Sequence, residues 1–291
     1  MEFHLALPEI QVNRTFGSNT TPKAQRDDSS TTKGEALRLQ LAILLTIRYI
    51  LPHEIAFDIK LPPPSLLSQN MQQEIFHNQM ISETIAFVKN TLVNAEAGHD
   101  WWHTYRVWNN AKHIAKQEKA DVQIVELAAL LHDIADAKFN NGDENIGPSM
   151  ALNFLNEQGV DIITIEHVVN IIRYMSFKNS FDGNTWTSPE MEVLQDADRL
   201  DAIGAIGIAR AFSYGGFKGR TFYDPAIPPN LNMDKETYKK SSAPTINHFY
   251  EKILLLKGKM NTATGKKLAE ERHRFMETYL EQFYKEWEGK V

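Results

Sequence analysis

The chain has no cysteine among its 291 residues. No disulfide can staple it, and any metal it holds must sit on imidazole, carboxylate or other oxygen donors. The absence also agrees with a reducing cytosol. Long apolar runs are missing too. The most apolar stretch, LAILLTIRYIL, carries Arg48 and is shorter than the roughly 20 residues a membrane span needs. Basic residues are in deficit: 31 Lys and Arg stand against 37 Asp and Glu, for a net charge of −6. That balance argues against a binder of long nucleic acid, which needs a basic face to neutralise phosphates. It still allows a small basic pocket for one phosphorylated ligand. Nor does the start resemble a secretory signal, since Glu2 and Glu9 fall where positive charge belongs. These absences lead to the expectation of a cytoplasmic protein with no membrane partner. Alternating strand patterns of useful length are absent as well, and so are internal repeats.

What is present supports a packed core. Hydrophobic residues make up 42% and charged residues 23%, the proportions of a globular domain. The chain changes character near residue 70. RTFGSNTTPKAQRDDSSTTKG is polar and rich in Ser and Thr, and is expected to be disordered. Residues 36–57 could form one isolated helix, and Pro62, Pro63 and Pro64 suggest an extended linker. Residues 1–70 therefore read as an N-terminal extension: a tail, a targeting segment, or a stretch upstream of a true start at Met71 or Met80. Residues 71–291 read as one all-α domain. Helices are expected over 74–95, 100–118, 122–137, from soon after Pro148 to Gly159, 161–175, 189–210, 233–257 and 264–288. Ser188-Pro189-Glu190 is a helix-start signature. The segment SYGGFKGRTFYDPAIPPNLN, with its glycines and prolines, is expected to be a loop.

Two His-Asp pairs raise a question of chemistry. His132-Asp133 follows the apolar run IVELAALL. Burying both there is costly unless they are paired or bound to a metal, so a hydrogen-bonded core histidine and a metal ligand both remain open. Asp136 projects from nearly the same face. His99-Asp100 stands at a helix start instead, where Asp100 is a natural N-cap with no metal needed. The ligand candidate in that stretch is His103. Asp196, Asp198 and Asp201 form a third cluster, either a solvated helix edge partnered by Arg199 or, given its apolar flanks, a partly buried group.

The order of these residues resembles the HD-domain metal-dependent phosphohydrolases. Their pattern H…HD…D falls on His103, His132-Asp133 and Asp198; the choice of Asp198 comes from the resemblance, in which the ligand Asp precedes a basic residue. HDWWHTYRV, ELAALLHDIAD, SFKNSF, DADRLDAIG, the YGG stretch and the segment from Asn247 to Trp287 all look like one bacterial-type subfamily of single-domain hydrolases. The likeness covers about residues 74–288.

That resemblance implies a helical bundle with a metal site in its core. His103, His132, Asp133 and Asp198 would ligate one divalent ion, Mn, Co or Mg by preference, with Fe, Ni or Zn also compatible. It implies cleavage of a phosphoester or phosphoanhydride of a small phosphorylated compound, a nucleotide by preference, by metal-activated water. Asp136 would transfer the proton. Arg106 would reach a phosphate or brace a ligand carboxylate, and Lys178 would contact a phosphate; Lys218 and Arg220 rank below. Two other functions stay open: a phosphodiesterase on cyclic or short oligonucleotides, and a non-catalytic nucleotide sensor. The Gly-Tyr-Pro tripeptide of the cyclic-dinucleotide enzymes does not occur. A guanosine-tetraphosphate hydrolase would carry an acidic pair after the HD, where only Asp136 stands.

Overall fold

A computed structural model of the chain describes residues 69–93, 95, 98–135, 143–175, 186–232 and 241–290. All of them lie within one compact unit, Pro64–Val291. The expected helix at 36–57 and the proline linker fall outside the described residues. Nine α-helices are described: α1 Gln69–Thr91, α2 Trp101–Glu118, α3 Val122–Leu131, α4 Ile146–Glu157, α5 Ile162–Tyr174, α6 Pro189–Asp201, α7 Gly204–Phe217, α8 Thr245–Glu251 and α9 Ala263–Trp287. A 3-10 helix, Ile253–Lys259, links α8 to α9. No strand occurs among the described residues, and the fold is all-α.

Capping chemistry sets where several helices begin. Asp100, Asp121, Asp161, Ser188 and Thr262 each turn a side-chain oxygen onto a first-turn N–H of the helix that follows. Pro189 sits in the first turn of α6, where its missing N–H costs nothing. The helices then bury apolar stripes against one another. α2 packs most extensively on α6 and α3, while α3 also touches α1, α5 and α6. α3 is the most enclosed: Val125 and Leu127 to Leu131 have no exposed surface. The pairs α4–α5 and α7–α9 flank this centre.

Four expectations about helix bounds need correction. The run 122–137 is not one helix, because α3 ends at Leu131 with His132 as its C-cap. The His-Asp pair therefore leaves the helix end, free of the 100° spacing between consecutive helical residues. The run 189–210 breaks at Ile203, because Gly204 takes the left-handed region (φ +73°) and a Cβ there would press on Arg272 at 3.0 Å. The YGG stretch is not a loop: α7 runs on through Gly215 and Gly216 to Phe217. Gly215 is needed because Thr245 packs directly on it, with Oγ1 2.1 Å from where a Cβ would lie. Finally, the long helix expected at 233–257 is cut. Residues 241–244 are irregular and α8 starts only at Thr245; Lys252 then leaves the helical region. Of the tryptophans on α2, Trp108 is buried, but Trp102 is 61% exposed.

Candidate metal centre

Three helix ends meet at the site. The first turn of α2 supplies His103, the C-cap of α3 supplies His132 with Asp133 next, and the last turn of α6 supplies Asp198 and Asp201. His103, His132 and Asp198 each offer one ligand atom, and these atoms all lie within 4.8 Å of one another. His103 Nε2 is 3.5 Å from Asp198 Oδ1 and 3.9 Å from Asp133 Oδ2. The rings of His103 and His132 stand 5.5 Å apart in an edge arrangement.

The hydrogen-bond partners orient these rings. His132 Nδ1 donates to the Ala129 carbonyl at 2.8 Å, since a carbonyl can only accept. His103 Nδ1 donates to Asp201 Oδ2 at 2.8 Å. Both imidazoles thus keep the Nε2 lone pair for a ligand. Asp133 Oδ2 accepts from His99 Nδ1 at 2.5 Å. Burial works to raise the Asp133 carboxyl, but the His99 hydrogen bond and the charges of His132, His99 and His103 outweigh it and hold the group far below the usual carboxylate range. Asp198 is the accessible member, with 43% of its side chain exposed.

Two imidazoles and two carboxylates at one spot suit a borderline or hard divalent cation. Opposite ligands of such an ion at ~2.1 Å would be separated by at most about 4.2 Å. The ligand atoms of His103, His132 and Asp198, all within 4.8 Å of one another, come within about 0.6 Å of that limit. The residues therefore fit a divalent metal.

Comparison with known proteins decides the family. The HD-domain family model matches residues 101–203. The chain is 39% identical over 206 residues to YpgQ of Bacillus subtilis, covering 70% of this chain and 91% of that protein. It belongs to the HD-domain family. Solved structures agree. An HD-superfamily hydrolase from Bacillus thuringiensis is 45% identical and matches with a TM-score of 0.59, over 73% of this chain and 98% of that one. Bacillus subtilis YpgQ in complex with ADP is 37% identical and matches with a TM-score of 0.57, over 72% of this chain and 96% of that one. As an HD protein the chain is a metal-dependent phosphohydrolase, and HD domains bind divalent metals. Among the described residues no helix is long and apolar enough to cross a membrane.

His103, His132 and Asp198 converge, and Asp133 stands beside them. Arg106 lies on Asp201, its Nε donating to Oδ1 at 2.6 Å and its Nη2 to Oδ2 at 3.0 Å. Asp136 and Lys178 fall outside the described residues. Lys218 and Arg220 gather over the Tyr214 ring, each at 5.6 Å. Asp100 caps α2, accepting from the His103 N–H at 2.9 Å. Three residues around the HD site went unassigned in the sequence: His99, Asp201 and Arg210. The cap explanation of His99-Asp100 hid His99. Asp201 stood in the acidic cluster, but nothing in the spacing told it from Asp196.

Proposed function

We propose that this HD protein hydrolyses a small phosphorylated compound, a nucleotide by preference, at a phosphoanhydride or phosphoester bond. The observation that carries the reading is the convergence of His103, His132 and Asp198 beside Asp133. ADP bound to YpgQ supports a nucleotide as the ligand class. One bound divalent ion, Mn, Co or Mg by preference, would polarise a phosphoryl oxygen and lower the pKa of attacking water. The protein's own groups do the rest. His103 and His132 present Nε2 with their Nδ1 protons engaged, and Asp133 and Asp198 supply negative charge. Asp136, three residues after Asp133, takes the proton of the attacking water as its oxygen bonds to phosphorus. The bond from phosphorus to the leaving oxygen then breaks, and that oxygen is protonated from solvent. Lys178 stabilises charge on the transferred phosphoryl group.

The test is phosphate and pyrophosphate release from nucleoside mono-, di- and triphosphates with Mn, Co or Mg, beside His132→Ala. Turnover is expected in the wild type, and neither metal retention nor turnover in the variant. The released product identifies the bond cut. No turnover on any of them, with one metal bound per chain, would turn attention to phosphodiesters and then to a sensor.

A further inference from the structure

The buried network behind His103 is more elaborate than a ligand shell needs for packing alone. Asp201 is 1% exposed, and its carboxylate accepts four hydrogen bonds. They come from His103 Nδ1 at 2.8 Å, Arg106 Nε at 2.6 Å, Arg106 Nη2 at 3.0 Å and Arg210 Nη1 at 2.6 Å. Arg210 also reaches the Asp201 carbonyl at 3.2 Å and the Gly98 carbonyl at 3.1 Å. One guanidinium thus ties the end of α6 to the entry of α2. From the other side Arg272 donates to the Leu200 carbonyl at 2.6 Å and to Asn110 Oδ1 at 3.0 Å. The backbone around Asp201 is pinned on both flanks.

We infer that Asp201, clamped by Arg106 and Arg210, is a positioning residue that fixes His103 as an Nε2 metal ligand. The inference rests on His103 being a ligand. A carboxylate between two guanidiniums can only accept, so the proton stays on His103 Nδ1 and the Nε2 lone pair faces Asp198 and Asp133. The second guanidinium matters because it tempers the carboxylate and keeps it from taking that proton for itself. Among the described residues, His132 Nδ1 donates to the neutral Ala129 carbonyl instead of a carboxylate. Arg106 acts through Asp201. The cavity of about 490 Å³ beside it is lined by Arg106, Asp201, Asn110 and Arg272, and by none of His103, His132, Asp133 or Asp198.

Titrating Mn2+ and Co2+ into the wild type, His103→Ala, Asp201→Asn and Arg106→Gln tests this, with the Co2+ absorption bands recorded alongside. Asp201→Asn is expected to weaken metal binding about 10- to 100-fold and to shift the Co2+ bands. Arg106→Gln should weaken it several-fold, with the Kd for ADP unchanged once metal is saturating. A folded Asp201→Asn with wild-type affinity and bands, while His103→Ala loses the metal, overturns the positioning role and leaves the ligand set standing. Wild-type affinity in His103→Ala overturns the ligand set itself. Should Asp201→Asn fail to fold, Arg106→Gln decides: weakened ADP binding at saturating metal with unchanged metal affinity makes Arg106 a nucleotide contact and sinks the clamp.

Discussion

Asp196 and Asp201 stand little more than a turn apart on α6, and neither keeps more than 1% of its surface exposed. Each meets a guanidinium, Arg199 Nη1 lying 3.3 Å from Asp196 Oδ1, but their other partners differ. Asp196 faces the start of α9, where it accepts from the N–H groups of Asn261 and Thr262, each at 2.8 Å, and from the Thr262 hydroxyl at 2.8 Å. Asp201 faces His103 and two arginines. α6 thus uses one buried carboxylate, mid-helix, to join helices, and another, in its last turn, to hold the His103 ring. Burial does not tell these roles apart; only the chemistry of the donors does. Asp198, between them, is the most exposed of the three, which suits the metal ligand proposed for it.

Removing Asp196 should separate the two roles most sharply. Asp196→Ala strands two backbone N–H groups and a hydroxyl, each costing roughly 1–3 kcal/mol when left without a partner. Urea unfolding is expected to show a loss of about 4 kcal/mol. Metal affinity of the protein that remains folded should match the wild type. A folded Asp196→Ala that has lost metal affinity would show that the two carboxylates are coupled, and the division of labour along α6 would fail.

The sequence made this division only half legible. The helical class, the Asp100 and Ser188 caps and the order His103, His132-Asp133, Asp198 were visible, because caps and periodicity are local. The break between α6 and α7 was not, because the left-handed Gly204 is required by the approach of Arg272, far along the chain. The helical YGG stretch was missed for the same reason: glycines that look like loop residues serve the contact with Thr245. His99 joins Asp133 across 34 positions, and His103 joins Asp201 across 98. No local spacing encodes such pairings.

Acid should also distinguish the metal end from the rest of the bundle. Burial favours a neutral Asp201, but the His103 and Arg106 hydrogen bonds and the charges of His103 and Arg210 outweigh it and hold the carboxyl far below its usual range. Asp133 is held low as well. The stability these two contribute is present above the ordinary carboxylate value and is lost only as pH falls through their much lower folded values. His248 on α8 behaves differently. Burial, then the charges of Lys252 and Arg220, push its imidazole from 6.5 down to about 4. The unfolded chain takes up a proton at higher pH than the folded one. Stability is therefore full above 6.5 and declines toward pH 4, by on the order of 2 kcal/mol. Urea midpoints at pH 7.5 and 4.5 should converge for His248→Asn and diverge for the wild type; equal slopes in both would remove His248 as the cause.

The smallest expected effect bears on the first His-Asp pair, where one dipeptide is divided between two tasks. Asp100 caps α2 through the His103 N–H at 2.9 Å, while His99 holds Asp133. The capped N–H belongs to His103, the proposed ligand, so this cap meets the candidate site through backbone. Asp100→Ala should cost about 1 kcal/mol of stability, the ordinary worth of an N-cap. Metal should stay bound with its affinity nearly unchanged, because the His103 ring is fixed from Asp201 and not from the cap. Thermal unfolding with and without saturating Mn2+ checks both halves at once. A larger loss in the metal-bound form than in the metal-free form would mean that Asp100 supports the ion, and the pair would have to be assigned to the site as a whole.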